Sequence, residues 1–268
     1  MGATTRERYA VVSCHVERPL DDAVWARFSA LQAARPGGFA IAALMRPADP
    51  AFGEDEAVWL ERAREAATRG PLGHHTHWTA PDHARPTGGD TGARVLAEGR
   101  RLRELGLSPT LFCGGGWYTD ESVAEACAEL GYVDCTPRAT RPPYLAEGEK
   151  WASLAEPAEI ELPSGRTLQA IPTTHTLGDL ARDLGNSLRP RRRARMPRRV
   201  TPDTRSELPL SFHIYFHDTD LLDVRRHGLL RITLRLFARR AEATDLDMLA
   251  VTSLPATQQV SWADVARR

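Results

Sequence analysis

Short apolar runs alternate with segments of helical period along the first half of this chain. That alternation restricts the fold more than any other feature. Tyr9–Cys14 reads as a strand. Asp21 and Asp22 then cap a helix that carries Val24, Phe28 and Leu31 on one face and stops at Pro36-Gly37-Gly38. Phe39–Met45 is a second buried strand, followed by a helix over Glu54–Arg69. Leu72–Thr76 is a third extended run, and Ala80–Gly92 a Pro/Gly-rich loop. Ala93–Leu105 is helical, and Thr110–Cys113 is a strand closed by the turn at Gly114–Gly116. A helix capped by Thr119 or Asp120 ends at Gly131 and leads to a strand over Tyr132–Cys135. Strand–helix–strand order calls for a parallel sheet with crossover helices. The second half is looser, with strands at Leu168–Pro172, Pro209–His217 and Met248–Ser253 and a helix over Leu229–Ala241. Seven or eight such units without a glycine-rich dinucleotide fingerprint favour a barrel over a doubly wound sheet. The reading is one α/β domain over residues 1–268.

The charge balance excludes one class of partner. The 268 residues hold 35 Lys+Arg and 35 Asp+Glu, which argues against a dedicated nucleic-acid binder. Seven arginines and two prolines crowd into Leu188–Val200, within an Arg/Pro-rich stretch over 188–205, read as a solvated loop. Prolines at 190, 197 and 202 disfavour a recognition helix there. No stretch reaches the ~18 apolar residues of a membrane span, and no apolar signal region follows the N-terminus. Four cysteines are too few for a disulfide framework in a chain this long. The expected location is the cytoplasm.

The nine histidines are the informative residues, because five or six of them fall at strand ends. Residues two apart on a strand share a face. Ser13, His15 and Glu17 therefore share one after the first strand, as do His75 and His77, and His74 and Thr76, after the third. His213, Tyr215 and His217 face one way near the end of a later strand, with Phe212, Ile214 and Phe216 facing the other. Strands of a parallel α/β sheet converge on a site at their C-terminal ends. Imidazoles and a carboxylate meeting there suit a first-row divalent metal.

In this order the motifs resemble those of NodB-like polysaccharide deacetylases of the carbohydrate esterase type. Ser13-Cys14-His15-Val16-Glu17 stands where that family has its acidic motif. His75-Thr76-His77-Trp78 resembles its histidine motif, and Phe112-Cys113-Gly114-Gly115-Gly116-Trp117 its arginine turn. Leu130-Gly131-Tyr132-Val133-Asp134, the segment Ile171–Leu177, Tyr215-Phe216-His217-Asp218 and Leu249–Leu254 resemble later pieces, so the match spans about residues 9–254. The resemblance implies a distorted (β/α)7-type barrel. It also implies a metal-dependent hydrolase that removes an N-acetyl or similar acyl group from a sugar or sugar conjugate, with His217 as acid and His75 as a metal ligand.

The chain departs from the family at several positions. His15 stands where the base aspartate is expected, Val16 replaces a metal aspartate, Thr79 replaces the second histidine and Cys113 replaces the arginine that partners the base. Losing base and arginine together leaves no unpaired charge. The rewired site then has Glu17 as base, His217 as acid, and His15, His75 and His77 holding a divalent ion, with Zn²⁺ ahead of Co²⁺, Ni²⁺ or Mn²⁺. Trp78, Cys113, Trp117, His175 and Asp218 are the candidate substrate-side residues. The two tryptophans either stack on sugar rings or cap the core, and His175 and Asp218 stand behind ligands or acid. Asp134 either orients His217 or makes a structural pair. The expected partner is a small sugar-like molecule, with no nucleic acid and no membrane. Two alternatives stand beside this: another metal-dependent reaction, or a non-hydrolytic relative that binds a carbohydrate or biosynthetic intermediate. A rival chemistry would use Cys113 as a nucleophile.

Overall fold

The computed structural model describes residues 8–142, 145–179, 211–243, 246–248 and 255–267. The first half follows the strand–helix alternation closely. Strand β1 (Arg8–Val16) leads to α1 (Asp22–Ala34), β2 (Ala42–Met45), α2 (Glu56–Ala67), β3 (Leu72–Thr76), α3 (Thr91–Glu104), β4 (Leu111–Gly114), α4 (Glu121–Glu129) and β5 (Val133–Asp134). An aspartate caps each of these helices. Asp21, Asp55, Asp90 and Asp120 accept hydrogen bonds from first-turn amides that have no partner inside the helix. Phe39 and Ile41 are buried but precede the second strand, which starts only at Ala42.

The second half adds β6 (Trp151–Ala152), β7 (Ala158–Glu161), β8 (Thr167–Ala170), β9 (His175–Thr176) and β10 (Ser211–His217). After them come α5 (Val224–Ala243), β11 (Leu246–Met248), β12 (Gln258–Ser261), α6 (Trp262–Val265) and β13 (Ala266–Arg267). The alternation pattern misses β6, β7, β9, β12 and β13, which are two to four residues long. The Arg/Pro-rich stretch 188–205 and residues 249–254 lie outside the described residues. So does most of the strand expected at Met248–Ser253.

One mostly parallel sheet runs through the protein in the order β12-β7-β8-β5-β4-β3-β2-β1-β10-β9, with β11 also beside β1. The β7–β8 pair is antiparallel, and β6 and β13 form a separate antiparallel ribbon. This is an α/β protein; the hydrogen-bonded order does not close on itself among the described residues.

Both faces of the central strands are buried, which is why they read as nearly continuous apolar runs. Ala10, Val12, Cys14 and Val16 of β1 and Phe212, Ile214 and Phe216 of β10 face one way, into the core beneath the helices. Val11, Leu44, Leu111, Cys113, Trp117 and Tyr215 form a smaller cluster on the opposite face. That inner face carries the polar residues. β1 lies between β2 and β10, in a register that sets Ser13 beside Tyr215 and His15 beside His217.

Candidate metal centre

Five side chains meet at the C-terminal edge of the sheet. His15 lies near the end of β1 and Glu17 one residue past it; His75 lies in β3 and His77 just beyond; His217 ends β10. One oxygen of Glu17 sits among three imidazoles. Its Oε1 is 3.6 Å from His75 Nε2, 3.7 Å from His77 Nε2 and 3.6 Å from His217 Nε2. These separations exceed a hydrogen bond. They approach the spacing of two ligands on one tetrahedral ion, about 3.4 Å when each bond is about 2.1 Å.

The protonation pattern of the histidines fits a metal. His75 Nδ1 lies 2.8 Å from the Cys113 carbonyl and His77 Nδ1 2.7 Å from the Pro81 carbonyl. A carbonyl only accepts, so each Nδ1 carries the proton and each Nε2 presents its lone pair. Backbone carbonyls hold metal-binding histidines in this way. Both Nε2 atoms are buried without a hydrogen-bond partner, as is His15 Nε2. Burial pushes the imidazole pKa down at His75 and, with the help of His75 and His217, further down at His15, so both rings are neutral. Burial alone pushes the Glu17 carboxyl up. Proton-bearing imidazoles at His75, His77 and His217 outweigh it and hold the carboxyl well below the usual range; with the Nε2 atoms unprotonated, a cation among them does the same.

Three groups of ligand atoms fall within 4.8 Å of one another: Glu17, His75 and His77; His15, Glu17 and His217; and His15, His75 and Cys113. The expected ligand set of His15, His75 and His77 is not among them. Glu17, one residue past the end of β1, takes the place of His15 beside the two β3-end histidines. A cleft of about 370 Å³ lined by Glu17, Arg18, Arg46, Glu54, His77 and Pro81 opens beside this group.

The candidate substrate-side residues separate into those at the site and those away from it. Trp117 is at the site: its ring is 5.2 Å from His15 and 4.9 Å from Tyr215. Cys113 is fully buried under the histidines, with its thiol pushed well up by burial, so it forms floor and offers no thiolate. Trp78 is buried, donates from Nε1 to the Gly115 carbonyl and packs edge-on to Tyr118, which makes it a core cap. His175 lies on the other face, its ring 5.2 Å from Phe212 and its Nδ1 2.7 Å from Thr174 Oγ1. Asp218 is buried and accepts from the amides of Arg18 and Thr219 at 2.8 Å each, so it anchors the turn that carries Glu17. Asp134 accepts from the Thr136 amide at 2.8 Å, a local structural bond rather than one to His217. His74 points the opposite way from His75, as alternation requires, and meets Glu98 of α3 at 2.8 Å.

Three polar residues at the site go beyond the sequence candidates. Ser13 Oγ and His213 Nε2 form a buried pair at 2.8 Å below the histidine cluster. Arg138 lays its guanidinium 4.6 Å from the Trp117 ring centre. It follows β5 by four residues, so the strand-end rule that found the histidines also reaches it.

No family model and no curated protein matches this chain. Its structure is similar to the crystal structure of 4-alpha-glucanotransferase from Thermococcus litoralis, with a TM-score of 0.50 at 13% identity. The similarity covers 95% of this chain and 42% of that one, so this chain spans less than half the length of its neighbour. What the two share is a fold. Fold and site together define an α/β protein with a histidine–carboxylate cluster at the C-terminal edge of a mostly parallel sheet. No helix among the described residues is long and apolar enough to cross a membrane.

Proposed function

We propose that this protein is a metal-dependent hydrolase that removes an acyl group, of the N-acetyl type, from a sugar or sugar conjugate, as a divergent relative of the NodB-like deacetylases. One observation carries the reading. His75 and His77 hold unpaired, unprotonated Nε2 atoms 3.6 and 3.7 Å from one oxygen of an ionised Glu17. Glu17, His75 and His77 would hold the ion, Zn²⁺ before Co²⁺, Ni²⁺ or Mn²⁺. When bound, such an ion supplies Lewis acidity to a carbonyl oxygen and acidity to a coordinated water. His15 is buried and neutral and keeps Nε2 free, so it accepts a proton where the family has its base aspartate. His217 is the most exposed of the four histidines and stands at the mouth to protonate the leaving amine. Base and ligand thus exchange places relative to the sequence expectation. The distorted seven-stranded barrel belongs to the same proposal. The run β5-β4-β3-β2-β1-β10-β9 contains seven strands, each parallel to the next, around the inner polar face.

Metal analysis of purified protein after Zn²⁺ or Co²⁺ loading tests the centre. About one ion per chain is expected, lost in the His75→Ala, His77→Ala double variant and in Glu17→Gln. His15→Gln is expected to keep the ion and lose acetate release from N-acetylated sugars. Wild-type protein that holds no ion from Zn²⁺, Co²⁺, Ni²⁺ or Mn²⁺ would refute the enzyme reading. Saturable sugar binding indifferent to chelator would instead support the non-hydrolytic relative.

A further inference from the structure

The ring pair that walls His15 also supports a cation. Trp117 and Tyr215 each lie 5.2 Å from His15, and the Arg138 guanidinium lies 4.6 Å from one ring and 5.5 Å from the other. A fixed positive charge therefore stands one aromatic ring away from the histidine–carboxylate cluster. Several other partly buried arginines have carboxylate partners: Arg46 with Glu54, Arg85 with Glu149, Arg94 with Glu98. Among the described residues Arg138 has none. Asp179, whose charge reaches Tyr215, accepts from the Thr176 amide and hydroxyl.

The backbone fixes this arrangement. Trp117 has a φ of +61°, a left-handed conformation that a residue with a large side chain adopts only when its surroundings enforce it. The turn before it is wedged. A Cβ on Gly115 would lie 2.5 Å from the carbonyl oxygens of both Ala84 and Thr76. The indole is thus held beside the guanidinium, which also reaches the Tyr215 side chain; of the five N–H donors of an arginine, that contact leaves others for a ligand.

We propose that Arg138 is a specificity residue that takes an oxyanion, carboxylate or phosphate, carried by the acylated sugar. Its planar fork matches such an oxyanion in a bidentate way, and a partly desolvated cation with no carboxylate partner among the described residues gains from the pairing. The position of the acyl end rests on the hydrolase reading above; the anion preference does not.

Calorimetric titration with three probes tests it: N-acetylglucosamine, N-acetylglucosamine 6-phosphate and N-acetylmuramic acid, against Zn²⁺-loaded and metal-free protein. At least one anionic probe is expected to bind about tenfold to a hundredfold more tightly than the neutral one, the range of a charge-assisted hydrogen bond. Which one does so separates phosphate from carboxylate. Arg138→Met is expected to abolish the preference and leave the neutral sugar unchanged, and Arg138→Lys to restore part of it. Inorganic phosphate is the sugar-free probe, expected to raise the melting midpoint of wild type but not of Arg138→Met. Equal affinity for all three sugars, equal loss of all three in Arg138→Met, or no Arg138-dependent response to any anion would overturn the proposal. A preserved anion preference in protein that binds no metal would refute the hydrolase reading and leave Arg138 in its role.

Discussion

Replacing Asp134 by asparagine should reverse part of the protein's response to pH. Asp134 is 1% exposed; its Oδ1 accepts from the Thr136 amide, and its Oδ2 has no hydrogen-bond partner. Burial pushes the carboxyl up from 3.8 to about 6, the Thr136 bonds pulling it only partly back. Between those values the native state holds a proton that the unfolded chain releases. A raised carboxyl pKa therefore gives stability that is complete below 3.8 and is lost as pH rises through 6. The gap, 6 − 3.8 = 2.2 units, corresponds to about 3 kcal/mol at ~1.4 kcal/mol per unit. Asparagine keeps the acceptor for Thr136 and does not ionise, but it buries an amide without a partner. That cost is the same at every pH. The difference in unfolding free energy between Asp134→Asn and wild type, from urea titrations in chelator at pH 4 and pH 7.5, should thus shift in favour of the variant by about 2–3 kcal/mol. A difference equal at the two pH values would refute the reasoning.

Two further outcomes follow from buried groups. His213, pushed down to about 4 by burial, stays neutral in the fold while the unfolded chain protonates near 6.5, so it withdraws stability as pH falls from 6.5 to 4. His213→Gln should lessen acid sensitivity in that window by about 3 kcal/mol, read from urea unfolding against pH. The four cysteines are all buried, and burial raises their thiols well above the usual range. An aromatic disulfide reagent should find no fast-reacting thiol until the protein is unfolded. A single rapid equivalent that disappears in Cys113→Ala would revive the cysteine mechanism.

Much of the fold was legible because parallel strands buried on both faces need apolar runs, and the aspartates before α1 to α4 mark where helices begin. The period of two correctly placed His15, His213, Tyr215 and His217 on the inner face, and His74 on the other. Its reach ends where the strand ends. Glu17 and His77 lie just past β1 and β3, where the period of two no longer fixes which way a side chain points, so the presence of Glu17 in place of His15 beside His75 and His77 was not legible. His175 belongs to a two-residue strand, too short for its parity to be read from sequence. Arg138 lies within reach of the strand-end rule, but it stands three residues past the expected strand Tyr132–Cys135, where the period of two no longer assigns a face. Trp78 and Trp117 are both tryptophans after glycine- or histidine-rich strand ends. Contacts of the Gly114-Gly115 turn, including the Trp78 indole bond to the Gly115 carbonyl, separate the two indoles, and these are tertiary.

The pairing of β1 with β10 bears on how the protein comes to exist. Residues about 200 positions apart are neighbours there, with His15 opposite His217. Contacts of such long range form late and slowly, because a large loop must close before they are made. During synthesis, His15 and Glu17 emerge early, yet they have no companion from β10 until residue 217 has been made. The complete cluster is therefore a product of finished folding. A nascent chain lacks the full histidine set, and the approach of His217 to Glu17 reports that the last central strand has docked.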